Sequence, residues 1–160
     1  MNIRPLIASD YPQVAAIYKD GIETGLATFE TEVPNWEKWN VKFMQSSRLI
    51  AEEDQIILGW AALSPVSDRC VYEGVAENTI YVSKESRGKG IGKILLNRLV
   101  SESEIEGFWT LQAGIFSENI ASIELHKSCG FRVIGIRERV AQRNGIWYDN
   151  TLMERRSNLF

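Results

Sequence analysis

The sequence predicts an α/β domain with a mixed central sheet and helices packed on its faces. Runs rich in β-branched and aromatic residues alternate with amphipathic helical patterns, in the order βαα-ββ-βα-βα-ββ. The 160-residue chain contains no internal repeat or low-complexity tract, so we expect one domain over residues 1–160. Apolar residues make up 44% of the chain and charged residues 24%, which is ordinary for a globular protein.

The first third of the chain predicts a short strand followed by two helices. Asn2 to Pro5 has strand character, and Ser9-Asp10 is expected to cap a helix that ends near Asp20. A second helix is expected over Pro34 to Met44. Its apolar residues are Trp36, Trp39, Val41 and Phe43.

The middle of the chain predicts a hairpin and a strand–turn–helix unit. The hairpin spans Arg48 to Leu63 and turns at Asp54-Gln55, and its apolar content indicates two central antiparallel strands. A loop from Ser64 to Ala76 leads into a strand at Thr79–Val82, which a polar turn connects to a helix ending near Gly107.

The last third predicts three more strands and one helix. We expect a strand over Phe108 to Phe116, then a helix that begins at Ser117 and is stopped by Gly130. Phe131 to Val140 and Trp147 to Arg155 are expected to form a hairpin that turns around Asn144-Gly145.

The turn after Val82 has the composition of an anion site. Glycines at alternate positions, Gly88, Gly90 and Gly92, let a ligand approach the backbone where the free N–H groups of a helix begin. The nearby Arg87, Lys89 and Lys93 suit a small polyanion. The spacing does not match the dinucleotide fingerprint, since the third glycine comes one residue early, and Ile94 stands where a P-loop needs Ser or Thr.

The hexapeptide Arg87 to Gly92 instead fits the pattern [QR]-x-x-G-x-[GA], which resembles the pyrophosphate-binding loop of GNAT superfamily N-acetyltransferases. A second match, N-x-x-[AS] followed by Gly-Phe, is carried by Asn119, Ser122, Gly130 and Phe131, with His126 where the superfamily often has Tyr. The resemblance implies a GNAT-like, mostly antiparallel central sheet and acetyl-CoA as co-substrate. The cofactor-binding residues it implies are Ile80, Tyr81, Val82, Arg87, Gly88, Lys89, Gly90, Ile91, Gly92, Lys93, Asn119 and Ser122.

Three further segments are similar to one branch of the superfamily, the phosphinothricin and methionine sulfoximine N-acetyltransferases. They are the stretch IETGLATFET after the first helix, AENTIYV before the glycine turn, and NGIWYDNTLME near the end. The resemblance implies acetyl transfer to the α-amino group of a small amino acid or analogue. Two alternatives stay open: acetylation of a protein N-terminus or another amine such as a polyamine, and a non-catalytic acyl-CoA sensor.

Acetyl transfer from a thioester to an amine requires a group that accepts the amine proton. Glu77, at the start of the strand before the glycine turn, is the candidate base, although a surface carboxylate is the plainer interpretation. His126, the only histidine, could serve as the acid at the departing thiolate or as the base. A structural histidine is its alternative, and a Cys129–His126 nucleophile lacks an orienting third group.

Substrate contacts are assigned to four residues. Arg69 is expected to pair with the substrate carboxylate, because a guanidinium forks onto a carboxylate bidentately. Tyr72, Phe29 and Glu30 are expected to line the pocket. Each of these side chains has an ordinary alternative as an exposed or packed residue.

Charge and cysteine content limit the partners. The net charge of −3, with no basic run, argues against a nucleic-acid surface, and no apolar run has membrane length. Cys70 and Cys129 have no metal-ligand spacing, so we expect free thiols, no metal and a cytoplasmic location. The apolar C-terminal strands, with Trp36 and Trp39, favour a homodimer.

Overall fold

A computed structural model describes residues 1–160 and contains a seven-stranded sheet and four α-helices. In chain order the elements are β1 (Asn2–Pro5), α1 (Tyr11–Glu23), α2 (Trp36–Lys42), β2 (Arg48–Glu53), β3 (Ile56–Pro65), β4 (Val75–Val82), α3 (Ile91–Ile105), β5 (Thr110–Phe116), α4 (Ile120–Ser128), β6 (Arg132–Arg143) and β7 (Ile146–Arg156). The predicted element order and fold class are confirmed. No helix combines the length and apolar character needed to span a bilayer.

The strands lie in the order β1-β2-β3-β4-β5-β7-β6, and every neighbouring pair is antiparallel except β4 and β5. Helices cover both faces of β2 and β3, which explains why these strands read as nearly continuous apolar runs. Leu49 and Ala61 face the side covered by α3. Ile50 and Trp60 face the side covered by α1 and α2. The sheet is therefore a rigid layer between two apolar cores.

Two predicted helix boundaries were wrong, and one predicted capping bond is not made. The first helix runs to Glu23 rather than Asp20, and the Asp10 carboxylate does not cap it, because it bonds the Ile7 amide and the Arg4 guanidinium instead. The fourth helix begins at Ile120 with Asn119 as its cap, so Ser117 lies outside it.

The second helix also differs from its prediction, since it covers only Trp36–Lys42. Its apolar stripe is narrower than the sequence suggested. Trp39 is fully buried, whereas Val41 is 86% exposed on the opposite side. A helix of two turns can bury only one narrow face, and Val41 does not lie on it.

The position of the site follows from how β4 and β5 separate. They are parallel neighbours for only three residue pairs, the last of which is Glu77 with Gln112. β4 continues to pair with β3 as far as Val82, while β5 continues to pair with β7. Beyond Glu77 the facing edges of β4 and β5 therefore diverge, and backbone groups there have no strand partner.

Candidate active site

Two cavities open along this separation, and they share a wall. The Glu77 cavity, about 420 Å³, is lined by β4, β5, the loop after α1 and part of β6. The glycine-loop cavity, about 570 Å³, is lined by β4, the start of α3 and α4. The residues that line both cavities are Leu26, Ala27, Ile80, Tyr81, Asn119 and Ser122. A molecule in one cavity can therefore reach a molecule in the other.

The glycine loop has the backbone geometry of an anion site. Gly90 stands at the start of α3 with φ of 79°, and Gly88 has φ of 74°, a conformation that side-chain-bearing residues rarely adopt. A Cβ at either position would project into open space rather than into protein. Both glycines line the cavity together with Arg87 and Lys93. Free amides at the helix N-terminus thus face a cavity with two cations on its wall.

Gly92 has a different reason to lack a side chain. It lies in the first turn of α3, and a Cβ there would approach Leu125 to 3.1 Å and Val82 to 3.5 Å. The glycine therefore lets α3 pack closely against α4 and β4. Of the loop residues assigned from sequence, Ile91 also lines the cavity, whereas Lys89 does not.

Glu77 lines the cavity at the last residue pair of β4 and β5. By its accessible surface Glu77 is an exposed residue, and the walls of the cavity bury its carboxyl only in part. This burial raises the pKa of Glu77, and the positive charges of Lys42 and Arg137 partly oppose that rise. A carboxylate with a raised pKa is better matched to accepting a proton near neutrality than an ordinary glutamate.

His126 lies beside Asn78, which follows Glu77 in β4. Its ring is 2% exposed, with Nδ1 2.8 Å from the Ser122 carbonyl oxygen and Nε2 3.0 Å from Asn78 Oδ1. Phe131 contacts the ring edge-to-face, at 5.0 Å between centroids. Burial lowers the pKa of His126, and the bond to Ser122 opposes that effect. Both ring nitrogens thus face oxygen acceptors, although a neutral imidazole has only one N–H to donate.

Asn78, which the sequence analysis did not single out, joins these groups. Its side-chain amide donates to the Gln112 carbonyl of β5 at 2.9 Å, and its oxygen faces His126. It therefore bridges the two strands where their own pairing stops. The signal in the sequence that could have identified it is a polar residue within a strand of mostly apolar residues.

Asn119 and Ser122 both line the shared wall, and Asn119 also makes the helix cap. Asn119 Oδ1 accepts from the Ser122 amide at 3.2 Å, and its Nδ2 donates to the Leu26 carbonyl at 3.2 Å. The side chain thus ties α4 to the loop after α1. This is the capping role that the sequence left open beside a cofactor role.

The four predicted substrate residues fall into two groups. Phe29 and Glu30 line the Glu77 cavity, where Phe29 packs against Phe116 at 4.3 Å between ring centroids. Arg69 and Tyr72 line neither cavity, and the Arg69 guanidinium lies 5.4 Å from the exposed Tyr72 ring. The cations that do line the Glu77 cavity are Lys42 and Arg137. Sequence reasoning missed both, since neither belongs to a recognisable motif.

The model of the acetyltransferase (GNAT) family matches residues 12–131. The chain belongs to the GNAT acetyltransferase family. It is therefore an acetyl-CoA-dependent enzyme, as the sequence predicted. Asn119, Ser122 and the glycine loop all lie within the matched range.

Curated relatives cover nearly the whole chain. It is 31% identical to the phosphinothricin N-acetyltransferase of Alcaligenes faecalis, over 98% of this chain and 83% of the relative. It is 30% identical to the L-methionine sulfoximine/L-methionine sulfone acetyltransferase of Pseudomonas aeruginosa, over 96% and 92%. The predicted resemblance to this branch is confirmed.

Solved structures show the same fold. A phosphinothricin acetyltransferase from Sinorhizobium meliloti in complex with AcCoA has a TM-score of 0.88 and 30% identity, over 97% of this chain and 87% of that one. A ribosomal-protein-alanine N-acetyltransferase from Brucella melitensis has a TM-score of 0.90 and 32% identity, over 98% and 100%. The GNAT-like fold class is thereby confirmed.

The glycine-loop cavity fits acetyl-CoA on its own geometry. The open space at the Cβ positions of Gly88 and Gly90 leaves room for phosphate oxygens against the amides. Arg87 and Lys93 supply positive charge to the same wall. No group of three or more His, Cys, Asp or Glu side chains is placed to hold a metal ion.

Proposed function

We propose that this protein transfers the acetyl group of acetyl-CoA to the α-amino group of a small amino acid or amino-acid analogue. The observation that carries the proposal is the shared wall between the two cavities. The anion site lies on one side and the Glu77 carboxylate on the other. This arrangement suits direct transfer between two molecules bound at once, because it holds donor and acceptor next to each other.

Acetyl-CoA supplies an acyl group activated as a thioester, and the chain supplies binding and proton transfer. We assign the pyrophosphate to the amides at Gly88 to Gly92, with Arg87, Lys93 and the more distant Lys89 contributing charge. The unpaired backbone edge at Ile80, Tyr81 and Val82 is assigned to the pantetheine arm. Asn119 and Ser122 on the shared wall complete that set.

Glu77 is assigned as the base that accepts a proton from the substrate amine, directly or through water. Its place at the divergence of the strands, where it lines the cavity and its pKa is raised, supports this role. His126 was the other catalytic candidate, as acid or base. Moving a proton from Nε2 would require its hydrogen bond to Asn78 to break, so we propose that His126 mainly anchors Asn78 and thereby β4.

The substrate class rests on relatives named for phosphinothricin, methionine sulfoximine and methionine sulfone. Phe29 and Glu30 are assigned to the acceptor side, and Arg69 and Tyr72 to its approaches. A second candidate is acetylation of a protein N-terminal alanine, which is favoured by the name of the Brucella melitensis structure. The two candidates differ in whether the acceptor carries a free α-carboxylate.

We also propose a homodimer, formed through the β6–β7 hairpin. Trp39 is buried and Trp36 packs against Tyr11, so the second helix does not supply the apolar surface that the sequence suggested. β6 is an edge strand, and it and β7 expose Ile136 (59%) and Trp147 (53%). Light scattering should give twice the 18.2 kDa chain mass, and a monomer at micromolar concentration would end this proposal.

We place the protein in the cytoplasm, with a small-molecule acceptor and neither nucleic acid nor membrane as partner. Support comes from the net charge of −3 and from two cysteines that form no disulfide, as expected in a reducing compartment. Fractionation of the source cells would test the location.

A thiol-release assay with acetyl-CoA tests the proposed function. Methionine sulfoximine, methionine sulfone, phosphinothricin and the common amino acids would be compared with a short peptide beginning with alanine. We expect release with at least one free amino acid or analogue. Release with the peptide alone would favour the second candidate, and no release with any acceptor would refute both.

A further inference from the structure

The Glu77 cavity contains two positive side chains that the assigned roles leave unused. Its charged lining consists of Glu30, Glu77, Lys42 and Arg137. Lys42 and Arg137 both act on the Glu77 carboxyl, because their charges oppose the rise in its pKa. They therefore lie close to the place where the acceptor amine would lose its proton.

The two cations differ in how far they are already paired. Lys42 Nζ lies 3.8 Å from the Glu30 carboxylate, which is a loose ion pair between half-exposed side chains. The Arg137 guanidinium forms no hydrogen bond or salt bridge within the chain, whereas Arg132 and Arg155 are each paired with a glutamate. Arg137 thus presents unused donors to the cavity.

The backbone of β6 is shaped so that it presents this side chain. Its pairing with β7 is irregular between Arg137, which lies opposite Asn150, and Ala141, which lies opposite Tyr148. Within this bulge Arg139 adopts φ of 45°, and its amide donates to the Asp149 carboxylate at 2.8 Å. A bulge breaks the alternation of side chains along a strand and redirects them. As a result Arg137, Val140 and Ala141 all line the cavity.

An α-amino acid carries its amine and its carboxylate on the same carbon. A bound acceptor whose amine faces Glu77 must therefore hold its carboxylate within a few ångströms of that position. A guanidinium suits this group, since it can donate two parallel hydrogen bonds to a carboxylate. Each charged group of the acceptor would then face an opposite charge on the protein.

We propose that Arg137 binds the α-carboxylate of the acceptor and so selects free amino acids over peptides and simple amines. Lys42 adds positive charge to the same subsite. This inference rests on the proposed function and gives it a specificity-determining residue. Arg69, which the sequence suggested for the carboxylate, lies outside both cavities. In a peptide the corresponding carboxyl is a neutral amide, which would leave Arg137 without its counter-charge.

Steady-state kinetics with matched variants and a matched pair of acceptors tests this. The acceptors are methionine sulfone and its carboxamide, which keeps the amine but lacks the negative charge. The variants are Arg137→Gln, Arg139→Gln and Arg69→Gln. Arg139 is the closest control. It lies in the same bulge, its side chain makes no hydrogen bond or salt bridge, and it does not line the cavity.

We expect Arg137→Gln to raise the KM for methionine sulfone by about 10-fold to 100-fold, as for loss of a charge-assisted hydrogen bond. The KM for the carboxamide should change little, and Arg139→Gln should resemble wild type. Arg69→Gln should keep the preference for the free acid. The inference is overturned if Arg137→Gln leaves the preference for the free acid unchanged, or if Arg69→Gln removes it. Wild-type protein that acetylates the carboxamide as well as the acid would also overturn it, with the acetyltransferase function intact. Wild-type protein that acetylates neither acceptor nor any other free amino acid would instead refute the proposed function.

Discussion

Replacement of His126 by alanine separates an anchoring role from a proton-transfer role. The residue is 2% exposed, and its Nδ1 and Nε2 lie near the Ser122 carbonyl oxygen and Asn78 Oδ1. With its one N–H on Nε2, the ring donates to Asn78. Its loss leaves Asn78 Oδ1 buried without a partner, which costs about 1–3 kcal/mol. Loss of the edge-to-face contact with Phe131 costs about 0.5–1.5 kcal/mol more.

The sum, about 1.5–4.5 kcal/mol, corresponds to a fall in Tm of about 3–18 °C for a domain of this size. We expect calorimetry to show this fall. A His126→Tyr variant should also lose stability, since a larger ring overpacks the buried site. Turnover at a temperature where the variants remain folded should decrease less than tenfold, because Glu77 is untouched.

The pH dependence gives a second readout of the same residue. Burial lowers the pKa of His126, so below about pH 6.5 the unfolded chain binds this proton more readily than the folded protein. Stability should therefore fall as pH decreases through that window, and His126→Ala should flatten the slope there. Because His126 is the only histidine, an NMR titration of its ring gives the folded pKa directly. A variant with unchanged Tm, intact acetyl-CoA affinity and turnover reduced more than 100-fold would refute the anchoring role.

Three further predictions concern the remaining groups of the site. Glu77→Gln should lower kcat on the order of 100-fold and remove the acidic limb of the rate profile. Because the pKa of Glu77 is raised in the folded protein, its ionised carboxylate destabilises the fold, and the variant should have a higher Tm at pH 7 than wild type. Gly90→Ala and Gly145→Ala should lose similar stability, because both glycines have φ near 79° and open space at the Cβ position. Calorimetric titration should show weaker acetyl-CoA binding only for Gly90→Ala. Arg137→Gln should move the acidic limb of kcat/KM, measured with the carboxamide, to higher pH. The other titratable groups that line the cavity with Glu77 are Glu30, Lys42 and His126, so the variant leaves Lys42 as the one cation that lowers the pKa of Glu77. An unmoved limb would contradict this electrostatic contribution.

The fold could be predicted from sequence because each of its elements has a local cause. β2 and β3 are buried on both faces, and this requires the continuous apolar runs seen in their sequence. The loop before α3 has positive φ at Gly88 and Gly90, and this conformation requires glycine. Boundaries were less predictable where tertiary contacts decide them. Asp10 looked like a helix cap, yet Arg4, which pairs with β2 through Glu52, draws its carboxylate away.

Most candidate site residues that line the cavities belong to a segment that the sequence analysis matched to the family. Glu77, the glycine loop and Asn119 were predicted that way, and the structure places them around two cavities that open along one divergence between strands. Arg137 could not be found, because its direction depends on a bulge that no local pattern in β6 announces. Arg69 was chosen on side-chain chemistry alone, and the structure places it on an exposed loop.

The measurement that tests the central claim most directly is an NMR time course with acetyl-CoA carrying ¹³C at the acetyl carbonyl. Wild-type protein and methionine sulfone should convert the thioester carbonyl signal into that of an N-acetyl amide, and Glu77→Gln should slow this conversion on the order of 100-fold. Thioester loss that yields only free acetate, or an unchanged thioester signal while acetyl-CoA is bound, would contradict the proposal that the two cavities bring the acetyl group to an amino acid amine.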